Sequence, residues 1–177
     1  MPMPTLLPTI EPVIPEGYRF IAVTLRDPSA PVAIMGWPTK RRDSPDGTIH
    51  DYPITPGAVE ARLAQERLDA VSWREIAYED IPKDRTYRDA LSDDGTRLYH
   101  DMPKAREIHR EHLRSFRGKA LADLDVEYQR ADEKGDKPGK ARVVALKQEL
   151  RDITAHPGIE AAQTTDELKA VWHEALK

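Results

Sequence analysis

His109 and His112 are the residues whose types and spacing first suggest chemistry, because an i, i+3 pair on a helix shares one face and could ligate a metal or shuttle a proton. A zinc site needs more ligands than these two. The chain has no His-Glu-x-x-His run, no third histidine or carboxylate at a recognisable offset, and no cysteine. The pair is therefore expected to be two ordinary polar residues of a helix face. Ser115 falls in mid-helix, where no strained elbow could expose a nucleophile, and no serine sits in a Gly-x-Ser-x-Gly turn. The nine glycines are dispersed and begin no phosphate-cradling loop, and Asp93 with Asp94 belongs most simply to a turn. The expectation is a chain with no catalytic residues, no metal, no cofactor and no small-molecule substrate.

The segment Asp84-Arg85-Thr86-Tyr87-Arg88 is different, since two guanidinium groups and a phenol around a strand start could clamp a carboxylate or stack on a partner ring. The competing reading is internal pinning, with Asp84 bonding nearby amides and the arginines pairing with neighbouring acids. Arg85, Tyr87 and Arg88 are accordingly interface candidates. So is Trp172 near the C-terminus, and so are Leu6, Leu7, Ile10, Val13 and Ile14, which lie among five prolines in the first seventeen residues.

The elements that must position these residues follow from periodicity. Prolines at 2, 4, 8, 12 and 15 forbid a regular helix, so residues 1–17 are expected to be an extended arm able to reach about 55 Å at roughly 3.3 Å per residue. Tyr18–Leu25 and Val32–Trp37, around the turn formers Asp27-Pro28-Ser29-Ala30, read as a hairpin. A long loop or β-excursion follows to Pro56, with Tyr52 and Ile54 as anchors. Thr55 caps a helix with Pro56 at its first position and Val59, Leu63, Ala64, Arg67 and Leu68 on one stripe through Ala70. Val71–Tyr78 alternates as a strand, with Val71, Trp73, Glu75 and Ala77 on one side. Thr86–Leu91 and Thr96–Tyr99 read as a second hairpin around Ser92-Asp93-Asp94-Gly95.

After Asp101 the pattern is helical. Ala105, Ile108, His109, His112, Leu113, Phe116, Ala120, Leu121, Leu124 and Tyr128 trace one winding apolar face of a helix from Pro103 to Glu133, with Gly118 as its weak point. Lys140–Thr154 is a second helix, and a third begins near Thr165 with Leu168, Val171, Trp172 and Ala175 facing inward. The long helix carries six bases and two acids from Lys104 to Lys119, then six acids and two bases from Asp123 to Asp136. That order opposes the helix dipole and leaves two readings open: an antiparallel neighbour, either the following helix or a second copy, or a solvated charged face. The fold class is α+β: an arm (1–17), a small β-rich domain with one helix (18–101) and a helical region (102–177).

Composition narrows the partners. Hydrophobic residues are 39% and charged residues 33%, so the core is thin and ordering of the termini is expected to depend on neighbours. A net charge of −4 argues against nucleic acid as the main partner, because phosphate binding needs a basic excess. No stretch approaches the roughly 20 apolar residues that span a bilayer and no signal-peptide pattern opens the chain, so neither membrane insertion nor export is expected.

One stretch resembles a known group. The arrangement Pro82-x-Asp84-Arg85-Thr86-Tyr87-Arg88-x-Ala90, followed by Asp101-Met102-x-Lys104-Ala105-Arg106-Glu107-Ile108, resembles a family of small tailed-phage and prophage proteins. The resemblance covers roughly Val71 to the C-terminus. It departs at Leu91, where members often carry tryptophan, so no aromatic anchor is assigned there. The closing segment, from Lys147-Gln148-Glu149-Leu150 through Pro157-Gly158, is similar to those of tail-associated and tail-fibre assembly proteins. The resemblance implies a virion protein made in the bacterial cytoplasm, attached at the tail or fibre, and binding other phage structural proteins or a second copy of itself. The alternative is an assembly chaperone that leaves the particle.

Overall fold

The computed structural model describes residues 17–42 and 49–176. The arm expected over residues 1–17, with Leu6, Leu7, Ile10, Val13 and Ile14, lies outside them apart from Gly17. The architecture is α+β, and the described residues divide into two compact units, one ending at Asp101 and the other beginning at Met102.

In the first unit the chain forms β1 (Tyr18–Leu25), β2 (Ala33–Pro38), β3 (Lys40–Arg42), β4 (Ile49–Asp51), α1 (Pro56–Gln65), β5 (Ala70–Ile76), β6 (Leu91–Asp93) and β7 (Leu98–His100). β1 is the middle strand of an antiparallel sheet ordered β2-β1-β5, while β3 with β4 and β6 with β7 are separate hairpins. The pairings Arg19↔Trp37 and Ile21↔Met35 put the odd residues of both strands on one face, where α1 lays Val59 and Leu63. Ile21, Val23, Met35, Trp37, Val59 and Leu63 form the core, each such burial contributing about 1.5–3 kcal/mol. Tyr52 stacks on Trp37 with ring centroids 4.9 Å apart and accepts its indole N–H at 3.2 Å, and Ile54 packs against the same cluster.

Thr55 caps α1 by accepting the Ala58 N–H at 3.3 Å. The helix stops at Gln65, short of the expected Ala70, because Arg67 takes a left-handed backbone (φ 56°) and the Leu68 N–H closes onto the Leu63 carbonyl at 2.9 Å. Ala64, expected in the apolar stripe, is exposed as a result, and Leu68 reaches the core from beyond the helix. β5 also differs from expectation. Its pairing with β1 skips Val71, which is 60% exposed, and Glu75 is exposed too, while Trp73 packs on the core.

The second hairpin exists but is shorter and displaced. Arg88–Ala90 is a tight helical turn instead of strand, and the pairing is Leu91↔His100 to Asp93↔Leu98. Asp94 organises the turn, accepting the Thr96 N–H at 2.8 Å, the Thr96 hydroxyl at 2.6 Å and the Arg97 N–H at 2.9 Å, which holds its carboxyl well below the usual range.

The second unit contains α2 (Met102–Glu133), α3 (Lys137–Asp152), α4 (Pro157–Ala161) and α5 (Thr165–Ala170). α2 runs unbroken through Gly118, where the position is open and the glycine costs only propensity. Ala105, His109, Leu113, Ala120 and Leu124 are its buried stripe. Gly135 (φ 67°) reverses the chain, and Asp136 caps α3 by accepting the Gly139 N–H at 2.9 Å. α3 packs on α2 through Val143 and Leu150. Lys147 bonds Asp125 at 2.5 Å and Lys140 bonds Asp132, so the antiparallel neighbour of the acidic half of α2 is the following helix of the same chain. Asp132 raises the Lys140 pKa through that bond.

α4 begins where a simple stop was expected, since His156 Nδ1 accepts the Gly158 N–H at 3.1 Å and Pro157 fits the first helical position. α5 ends at Ala170, earlier than the apolar pattern implied; Leu168, Trp172 and Leu176 are nevertheless buried, with Val171 and Ala175 half-buried. No helix among the described residues is long and apolar enough to cross a membrane.

Candidate functional site

The segment Pro82–Ala90 is built around Asp84. Its carboxylate accepts the Thr86 N–H at 2.8 Å and the Thr86 hydroxyl at 2.6 Å, and the Arg88 and Ala90 amides then bond to the Arg85 and Tyr87 carbonyls at 3.1 and 2.9 Å. Thr86, Tyr87 and Ala90 are turned inward by this fold, and Asp101 N–H ties the end of the segment to the Ala90 carbonyl at 2.8 Å. Tyr87 is only 1% exposed, so its assignment as an interface residue is corrected: the coiled segment buries the ring, where an extended strand would have displayed it. Arg85 and Arg88 are exposed, Arg88 lying 3.4 Å from its exposed neighbour Asp89. The internal-pinning reading holds for Asp84 and the buried residues, and the two guanidinium groups remain outward.

The next hairpin is fixed to the sheet by a fork. Arg74 Nε lies 2.9 Å from one Asp93 oxygen and Arg74 Nη2 2.8 Å from the other, with the Asp93 side chain 4% exposed. The bond to Asp93 raises the Arg74 pKa beyond its already high value, so the guanidinium stays charged. Arg62 makes a comparable contact on the other side of the sheet, donating to the Gly36 carbonyl at 2.8 Å and to Glu66 at 3.0 Å with its guanidinium 5.3 Å from the centre of the Trp37 ring. It borders an open cleft of about 600 Å³ whose other walls include Tyr18, Pro38 and Tyr52. These forks were not found in the sequence because their partners are 19 to 26 residues apart, and only the Arg62–Glu66 spacing of four carries a local signal.

The helix histidines do not form a site. His109 is fully buried in the apolar stripe of α2, where the periodicity puts it, and its Nε2–H donates to the Val171 carbonyl at 3.0 Å. Burial lowers its pKa and keeps the ring neutral. Trp172 is likewise corrected from interface to core: it is 8% exposed, donates its indole N–H to the Leu176 carbonyl at 3.1 Å and meets Phe116 edge-on at 5.2 Å. Arg106 fastens α4 to α2 through the Ile159 and Ala162 carbonyls at 3.1 and 2.9 Å, and Arg110 pairs with Glu107 and Glu160. Much of the basic half of α2 thus serves the packing of its own unit. Among the described residues no cluster of three or more histidine, aspartate or glutamate side chains is arranged to hold a metal ion. Comparison with family models, curated proteins and solved structures gave no match to this chain.

Proposed function

We propose that the chain works by binding other proteins, as a structural component of a tailed-phage particle in its tail or fibre region. The observation that carries this reading is the division of labour within Pro82–Ala90: Asp84, Thr86, Tyr87 and Ala90 hold the segment in place, while Arg85 and Arg88 face outward from it. Exposed guanidinium groups on a fixed backbone suit a carboxylate-bearing partner surface, because little conformational freedom remains to be lost on contact. The resemblance of Pro82–Ala90 and Asp101–Ile108 to small phage proteins supplies the particle. Arg85→Glu combined with Arg88→Glu tests it in phage or prophage particles that carry the chain. An intact fold by circular dichroism with at least about tenfold less chain in purified particles is the expected outcome. Unchanged incorporation would remove the arginines from the contact, and absence of the unaltered chain from particles would favour the assembly chaperone.

A further inference from the structure

We propose that the N-terminal segment of a second copy of this chain adds as a strand to the outer edge of β5. The sheet has two edges, and they are not alike. On β2, the Val32 N–H donates to the Leu91 carbonyl at 2.9 Å, Arg62 covers the Gly36 carbonyl, and Pro38 has no N–H to offer. β5 is the other terminal strand, and among the described residues its backbone hydrogen bonds go to β1 alone. The Thr39 N–H bonds the Gly17 carbonyl on the β2 side, so odd residues of the β1 strand face β2 and even ones face β5. The pairings Phe20↔Ile76 and Ala22↔Arg74 then leave the N–H and carbonyl groups of Trp73 and Glu75 pointing outward. Exposed Val71 and half-buried Trp73 give this edge an apolar rim. An open edge of this kind is a template for another strand.

The sequence of the N-terminal segment fits that template by parity. Pro2, Pro4, Leu6, Pro8, Ile10, Pro12 and Ile14 fill every even position from 2 to 14, so one side of an extended segment is wholly apolar. Proline is tolerated in a strand only where its missing N–H would face away from the neighbour. With the even residues at the new outer edge, the odd residues Thr5, Leu7, Thr9, Glu11 and Val13 turn their backbone groups toward β5, and no proline interrupts that ladder. A helix or an interior strand has no use for this pattern.

The segment of a second copy is favoured over the chain's own. To reach its own β5 edge, the chain would have to cross two strand spacings, about 10 Å, between Ile14 and Gly17. Pro15, Glu16 and Gly17 span about 10 Å only when fully stretched. Gly17 is held on the opposite side, its carbonyl bonded to Thr39 N–H at 2.6 Å and to the Thr39 hydroxyl at 2.7 Å. A neighbour's segment meets no such limit. The inference stands apart from the particle reading, since a self-associating chain found in no virion would leave it intact.

The test uses the full chain. Sedimentation and amide exchange are followed across a concentration series for the unaltered protein, Thr9→Pro and Ile10→Pro. Association should rise with concentration and slow the exchange of the Trp73 and Glu75 amides together. Thr9→Pro removes a ladder donor and should weaken association about tenfold, whereas Ile10→Pro removes an outward N–H and should change it less than about threefold. A monomer at all concentrations, Trp73 and Glu75 amides already protected in that monomer by its own segment, or equal effects of the two substitutions would each overturn the proposal.

Discussion

Replacing Arg74 with alanine should unfold the N-terminal unit at a markedly lower urea concentration, because the substitution strands a carboxylate. The Asp93 side chain is 4% exposed and faces three guanidinium contacts at 2.8, 2.9 and 3.1 Å, keeping only the Gly95 N–H at 3.1 Å once Arg74 is truncated. Breaking a fully buried pair from one side costs about 3–5 kcal/mol. Arg74 is 23% exposed, so water reaches the site and the expected cost is about 2–3 kcal/mol. Arg74→Lys keeps the charge but not the fork and should cost about 1–2 kcal/mol. Asp93→Asn preserves the Gly95 contact, so a cycle with Arg74→Ala isolates the pair, with a coupling of about 1.5–3 kcal/mol. Tryptophan fluorescence in a Trp172→Phe background reports this unit alone, since the two remaining tryptophans, Trp37 and Trp73, both lie in it. A loss below about 0.5 kcal/mol for Arg74→Ala, or strict additivity in the cycle, would refute the assignment of the fork as the fastener between β5 and the β6–β7 hairpin.

The buried His109 makes the helical unit sensitive to acid. Its folded pKa is lowered from 6.5 by burial, with Arg110 and His112 adding to the effect, so the unfolded chain binds more protons and stability falls as pH drops below about 6.5. His109→Gln, which can still donate to the Val171 carbonyl, should flatten that fall in thermal melts between pH 5 and 7, and an unchanged slope would exclude His109 as its source. Gly17→Ala should destabilise the N-terminal unit by about 1 kcal/mol or more in urea melts, since φ is 88° and the added Cβ would sit 2.9 Å from Thr39 Oγ1. Asp136→Ala removes the cap of α3 and should cost the helical unit about 1 kcal/mol, read from its circular dichroism melt.

Local patterns carried the elements well where the signal was periodic and long. α2 spans Met102–Glu133 against an expected Pro103–Glu133, and of the two readings of its polarised charge the structure has the antiparallel neighbour, α3, through Lys140 and Lys147. Boundaries failed where one residue's backbone or side chain overrode the pattern. Arg67 ended α1 through a left-handed conformation that arginine seldom adopts, and Asp84 folded Thr86–Ala90 into turns although β-favouring residues surround it. The candidate interface was legible only in part. Residue type left Arg85 and Arg88 between internal pairing and outward contact, and it could not show that Tyr87 and Trp172 face their own cores, because burial of an aromatic ring depends on contacts far away in sequence. The Arg74–Asp93 and Arg62–Gly36 contacts were invisible for the same reason.

The claim that this chain is a particle component is tested most directly by quantitative mass spectrometry of purified tailed-phage particles whose genome encodes it. The expected result is a fixed, stoichiometric ratio of this chain to the tail proteins in every preparation, retained through washes that strip loosely bound material. Its complete absence from particles, with all of it recovered in the unassembled fraction, would contradict that claim.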